Sequence, residues 1–420
     1  MDFAEIPFST FRMRNVALAL FLAAFLLSCS GTPQRSLTIA VNAGVEGTAL
    51  KAAARQWGQA NHARIEVVEL PYANLFEKEQ LDLTSRTGAY DVIMLDDPWF
   101  PRMAADLARL PRDPDSDFVS TCLEVCRHPY KTGAYLALPY VGNAQLFFYR
   151  KDLFEKYRLG APKTWDDVLV AAKKIGEGEK IYGYVMRAAP GNAVVADFMP
   201  LLWAFGGGVM EGNRAICNSP PAVEALRFML ELGKYSPPGY AGFNADEVSA
   251  HLLQGTAAMS INWPAWIAAM DDPAKSKVVG KIEFSQMPGE RDPGVGELGA
   301  WLVAVPAGSK HAADAFEFIY WATEPAQMKQ AALRGNPPTR RSIFQSPDLI
   351  AKFRSYPAQL ASLESARPRP RTAEWNEIEN SFGIYLSKAN DGAMDPRAAL
   401  NAAADSIQKI LERNESATHP

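Results

Sequence analysis

The chain has 420 residues, a mass of 46.0 kDa and a formal charge of −4, with 48% hydrophobic, 21% charged and 10% aromatic residues. That length supports two or three compact units of roughly 150 residues each, and the composition excludes a disordered chain or a coiled coil. The acidic balance lacks the basic face that nucleic acid requires, and four cysteines are too few for a disulfide scaffold.

Near the N-terminus, Arg12 and Arg14 precede an unbroken apolar run, 16–27, too short to span a bilayer comfortably. It ends in Leu26-Leu27-Ser28-Cys29, which resembles the lipobox of bacterial lipoproteins. That resemblance implies a signal peptide over 1–28, lipidation of Cys29 and a short tether over 29–36. Asp2 and Glu5 are atypical of a signal's first residues, so Met1 and Met13 are both candidate starts. No later segment stays apolar for 18 residues, so the mature chain is expected to be soluble, exported and held at the envelope by lipid.

Beyond the tether, 37–42 reads as a buried strand, 48–60 as a helix and 64–70 as an alternating strand. A helix follows over 75–86, with Gly88 as its stop, then a strand over 91–95. Strand-helix-strand-helix-strand at this spacing means a parallel sheet with helices on its faces. Ligands sit beyond the carboxyl ends of such strands, which places the 42–47 and 96–99 loops on one rim. Further strands are expected at 145–149, 181–186, 257–262, 282–286 and 300–305. Helices are expected at 165–174, capped by Thr164, at 221–232, at 312–323 and through most of the last 80 residues, with a frayed tail at 415–420.

The glycines of 294–299 satisfy GxGxxG, but Pro293 precedes them and a strand follows, which excludes a dinucleotide loop. Cys122, Cys126 and His128 lack a fourth metal ligand, and no metal or other cofactor is expected. An oxidising compartment admits a Cys122–Cys126 disulfide, although the spacing leaves pairing open.

Taken in order, YDVIMLDDPWFPRMAADLARL (90–110), ALPYVGNAQLFFYRKDLFEKY (137–157) with APKTWDDVL after it, LWAFGGG (202–208), GTAAMSINWPAW (255–266), GAWLVAVPAGSKHAADAFEFIYWAT (299–323) and GNPPTRRSIF (335–344) carry a family likeness. The chain resembles the family 1 extracytoplasmic solute-binding proteins of ABC importers, the maltose-binding-protein-like group. The resemblance implies an α/β, two-lobed, type II periplasmic-binding-protein fold of the Venus-flytrap kind, with lobe 1 over 37–141 and 280–310 and lobe 2 over 142–279 and 311–414. Pro139 to Gly142 would be a crossing between lobes, with Gly142 as a pivot. It further implies a monomer that does no chemistry: it captures a carbohydrate, a di- or oligosaccharide above all, and delivers it to a pair of ABC permeases. A glycerol-phosphate-type or other polar solute is the alternative ligand, and a secreted carbohydrate-active enzyme the alternative class.

A sugar site needs planar polar groups for hydroxyls and aromatic plates for C–H faces. Asn42, Glu46, Asp96, Asp97 and Trp99 lie on the inferred rim and supply both kinds. Asp96 and Asp97 are adjacent, which gives no evidence of the spaced pair of a glycosidase. Asn143 follows the crossing, where the family likeness implies a polar contact. Trp263 and Trp266 flank Pro264 after a strand, and Gly299 before Trp301 would admit a close backbone approach. Arg371 and Trp375 match a late contact region of the family, with Asn336 a weaker candidate and Gly191, Asn192 and Asp197 weaker again. Arg369 and Arg371 would suit an anionic ligand.

Overall fold

The computed structural model describes residue 1 and residues 35–418, with side chains as far as Arg413. The signal peptide, Cys29 and most of the expected tether lie outside the described residues. The tether ends earlier than the sequence suggested. Arg35 Nε donates to Asp314 Oδ1 at 2.8 Å and the guanidinium also pairs with Glu317, while Ser36 already opens the first strand.

The longer elements are numbered in chain order. The first lobe begins with β1 (Ser36–Asn42), α1 (Val45–Ala60), β2 (Arg64–Leu70), α2 (Tyr72–Ser85) and β3 (Val92–Asp96), followed by β4 (Ala137–Val141). Strand β5 (Leu146–Arg150), α3 (Trp165–Gly178), α4 (Asn192–Ala204), α5 (Pro220–Gly233), α6 (Ala245–Gln254), β6 (Met259–Asn262) and β7 (Ile282–Ser285) build the second. The chain then returns through β8 (Trp301–Ala304), α7 (Ala312–Ala322), α8 (Pro325–Leu333) and α9 (Tyr356–Ser365), and ends in α10 (Trp375–Asn390) and α11 (Pro396–Thr418).

The first sheet has the order β2-β1-β3-β8-β4. Strands β1, β2 and β3 run parallel, as the alternation of strands and helices requires, while the late-returning β8 is antiparallel to both neighbours. Trp301 pairs with Asp96 on one side and Val141 on the other, so all three sit at the same end of the sheet. The second sheet is antiparallel, with β5 between β6 and β7. The strand expected at 181–186 reduces to a single bridge, Tyr182 with Ala257, and a further backbone bond from Val185 N to Met259 O at 2.9 Å. At α3, Thr164 caps as its sequence suggests: Asp167 N donates to Thr164 Oγ1, and Asp167 Oδ2 accepts from Thr164 N.

The lobe boundaries differ from the expected ones in two places. Ile282–Ser285 pairs with β5 and belongs to the second lobe, because its apolar residues face that sheet's core. Residues 312–366 belong to the first lobe: Ala315, Phe318 and Ile319 of α7 pack in the first core, Phe318 lying edge-on to Trp57 at 5.8 Å, and Met328, Ile343 and Leu363 join the same cluster. Each of these side chains larger than alanine contributes about 1.5–3 kcal/mol by leaving water, so this apolar run is secured where β8 delivers it. Helices α10 and α11 return to the second core. Helix α11 continues to Thr418, within the tail expected at 415–420, and residues 419–420 lie outside the described residues.

Cys122 and Cys126 are free, buried thiols rather than a disulfide. Both sit in the first core, and Cys126 Sγ donates to the carbonyl of Cys122 at 3.2 Å. Burial pushes the Cys122 thiol up to about 12.

Three crossings join the lobes side by side. Gln145 N donates to Glu297 O and Gly299 N to Asn143 O; Leu298 N donates to Arg367 O, and Arg367 N to Gly296 O. They form a narrow strip at the base of the cleft. It tolerates no side chain at two glycines: a Cβ at Gly142 would lie 2.0 Å from Pro338 O, and one at Gly296 would lie 2.4 Å from Gln145 O.

Candidate functional site

Above this strip a cleft of about 640 Å³ opens between the lobes. The first lobe supplies Asn42, Gly44 and Glu46 from the β1–α1 turn, Tyr72 from the start of α2, Asp96 from the end of β3 and Trp301 from the start of β8. All lie at the carboxyl ends of β1, β2 and β3 or beside them, which is where a parallel sheet leaves its crevice. The second lobe supplies Arg187, Asn192 at the start of α4, Asn244 and Asp246 at the start of α6, and Trp263 and Trp266 after β6. The crossings contribute Asn143, Gly299 and Arg369.

The aromatic groups form two walls. Tyr72 and Trp301 meet edge-on at 5.9 Å, and both are backed by Trp99, at 4.7 and 5.7 Å. Opposite them, the Trp263 ring lies against Gly299, where a Cβ would come within 2.7 Å of it. The close approach expected at Gly299 is therefore to an indole.

Several polar atoms of the cleft are buried with no partner: Asn42 Oδ1, Asn143 Oδ1, and Nε and Nη1 of Arg187. Leaving such a group unpaired costs about 1–3 kcal/mol. Asn42 Nδ2 donates to Glu46 Oε2 at 3.4 Å, and burial raises the Glu46 carboxyl above its usual range. Tyr72 donates its hydroxyl to Asp96 Oδ2 at 2.8 Å.

In the cleft floor Arg369 is 2% exposed and meets four carboxylates: Asp96 at 3.2 Å, Asp97 at 3.6 Å, Glu297 at 3.5 Å and Glu379 at 4.0 Å. Arg371 Nη1 donates to Asp97 Oδ1 at 2.8 Å and its Nη2 to Val125 O at 3.0 Å. Burial pushes the Asp97 carboxyl up to about 6 against the pull of both guanidiniums. Glu297, which receives no hydrogen bond on its carboxyl, is pushed up to about 8 for the same reason.

The cleft thus gathers Asn42, Glu46, Asp96, Asn143, Asn192, Trp263, Trp266, Gly299, Trp301 and Arg369 from the residues singled out in the sequence. The others stand elsewhere, among them Gly191, which precedes α4, and Asp197, which accepts from the backbone N of Arg187. Asp97 is fully buried behind Asp96 because it neutralises Arg371, and Trp99 is covered by Tyr72 and Trp301. Asn336 braces the first crossing by donating to Tyr140 O at 3.0 Å. Arg371 lies beneath the floor rather than on it, and Trp375 fills the second core. Tyr72, Arg187, Asn244 and Asp246 escaped the sequence reading. Tyr72 was within reach, since it follows β2 on the same rim, whereas Arg187 sits in an irregular segment without periodicity.

Residues 43–329 match the family described as bacterial extracellular solute-binding protein. The chain belongs to that family. A Sinorhizobium fredii relative named "Probable amino-acid ABC transporter periplasmic-binding protein" is 29% identical over 400 residues, 91% of this chain and 89% of its own. An ABC-transporter solute-binding protein from Agrobacterium radiobacter, solved in complex with ribitol, is 28% identical with a TM-score of 0.82, covering 89% of this chain and 98% of that one. A maltose-bound T. maritima protein is 27% identical with the same TM-score and the same two coverages. This solute-binding protein therefore has the type II two-lobed fold and an extracytoplasmic transport role, and its family is one of binding proteins rather than enzymes.

Proposed function

We propose that this solute-binding protein captures a small polyhydroxylated solute, a sugar or polyol of one or two ring lengths, and hands it unchanged to a permease pair of an ABC importer. The observation that carries the reading is the pairing of Tyr72, Trp301, Trp263 and Trp266 with the unsatisfied amide oxygens of Asn42 and Asn143 in one cleft. Flat plates suit C–H faces, and acceptors without partners suit hydroxyl donors. The ribitol and maltose complexes of the two solved relatives support a ligand in this size range rather than a long oligosaccharide. Closure then follows from differential affinity, because the solute touches both lobes only when they approach.

The glycerol-phosphate alternative loses its basis at Arg369 and Arg371, whose charges are matched by buried carboxylates. The protein acts as a monomer tethered through lipid on Cys29, at the outer face of a membrane carrying the permeases. Calorimetry with ribitol, mannitol, common aldoses, maltose and the standard amino acids tests the ligand class. Micromolar binding of a sugar or polyol is expected, corresponding to about −8 kcal/mol. Heat from an amino acid alone, the class named for the Sinorhizobium relative, would overturn it.

A further inference from the structure

Arg187 stands apart from the other arginines of the site. It is 4% exposed and lines the cleft, yet among the described residues its side chain bonds only from Nη2, to Asn192 Oδ1 at 3.3 Å and Asn244 Oδ1 at 3.2 Å. Nε and Nη1 have no partner, and no carboxylate among the described residues lies within ion-pairing distance. The two acids that feel its charge are Asp197 and Glu297, and burial pushes their carboxyls to about 7 and about 8, so at neutral pH neither is a full counter-ion. Asp197 moreover spends an oxygen on the backbone N–H of Arg187 at 2.9 Å.

The surroundings add to this field. Helix α4, 13 residues long, begins at Asn192 without a side-chain cap, and its first residues line the cleft beside Arg187. The N-terminus of a helix carries a partial positive charge and free N–H groups. Acids line both walls, Glu46 and Asp96 on the first lobe and Asp246 on the second. A buried guanidinium without an anion is costly. A neutral polyol would leave that charge uncompensated.

We infer that the cleft takes a sugar acid, a polyhydroxylated solute with one carboxylate, and that Arg187 and the start of α4 receive the carboxylate while the first lobe receives the hydroxyls. The inference rests on the sugar or polyol reading above and narrows it. A guanidinium N–H donates a charge-assisted bond to a carboxylate, stronger than one to a hydroxyl, and Nε and Nη1 of Arg187 are without partners for it.

The test is calorimetry on matched pairs, galacturonate against galactose and gluconate against sorbitol, with the wild-type protein, Arg187→Gln and Arg187→Lys. The wild type is expected to prefer at least one acid over its neutral partner by about 10-fold or more, the worth of a charge-assisted hydrogen bond. That ratio should collapse towards one in Arg187→Gln and remain intermediate in Arg187→Lys, with circular dichroism confirming that both variants fold. Equal or weaker binding of the acids by the wild type overturns the inference while leaving the neutral-sugar reading intact. A ratio unchanged by Arg187→Gln also overturns it. An amino acid as the only ligand defeats the broader reading, and this one with it.

Discussion

Arg369 donates from one nitrogen to both oxygens of Asp96, at 3.2 and 3.3 Å, and so ties the third crossing to the carboxyl end of β3. The two residues are 273 positions apart in sequence, and their bond joins the cleft floor to the first sheet. Asp97, Glu297 and Glu379 gather about the same guanidinium, which makes it the shared counter-charge of four buried acids. Replacing it with methionine keeps most of the volume and strands the carboxylates. The expected loss is about 3–5 kcal/mol, the range for breaking a buried ion pair from one side. Thermal unfolding of Arg369→Met should show a clear fall in midpoint, and Arg369→Lys a smaller one. An unchanged midpoint would mean that the acids already fold protonated and need no counter-charge.

Gly299 and Trp263 make a second relationship that a single methyl group tests. A Cβ at position 299 would meet the far edge of the indole at 2.7 Å, an approach that real Cβ atoms do not make. The ring can swing away, so Gly299→Ala should fold with little loss of stability. The cleft wall would nonetheless be displaced, and affinity for the preferred solute should fall by about 10-fold, a change of about 1.4 kcal/mol. Tryptophan fluorescence of the free protein should shift as well. Wild-type affinity in Gly299→Ala would remove Trp263 from the site.

How far the sequence reached can be seen in these same residues. Strands β1, β2 and β3 were legible from alternation and spacing, and the rule that ligands lie beyond their carboxyl ends brought Asn42, Glu46 and Asp96 to the cleft. The same rule could not say which of two adjacent acids lines the cleft; Asp97 turned inward because Arg371, 274 positions later, meets it there. Lobe membership after β8 was misjudged because helices α7, α8 and α9 are apolar on one face whichever core receives them. Arg187 gave no signal, since an irregular segment carries no period and its unpaired state is a property of three-dimensional neighbours.

The two thiols of the first core yield a simple chemical prediction. Cys122 and Cys126 are inaccessible to solvent and their ionisation is suppressed by burial, so the reactive thiolate is scarce. Native protein purified from an oxidising compartment should show no reaction of either with a thiol reagent until unfolded. Its unfolding midpoint should not move on adding reductant. A mass two hydrogens lower than the reduced chain, localised to this segment, would restore the disulfide.

Glu297 links the crossings to pH. Its carboxyl is raised by burial from 4.5 to about 8, with Glu379 adding to the rise and Arg369 opposing it. The native state therefore holds a proton that the unfolded chain releases near its ordinary value. Between those two values the folded protein binds more protons, so stability falls as pH rises. This contribution is complete below about pH 4.5 and is lost as pH passes through about 8. Glu297→Gln mimics the protonated form at every pH and removes the titration. Denaturant midpoints measured at pH 5.5 and pH 8.5 should decline less in Glu297→Gln than in the wild type, and the variant should be the more stable of the two at the higher pH. Parallel declines in the two proteins would show that Glu297 is ionised throughout, held so by Arg369.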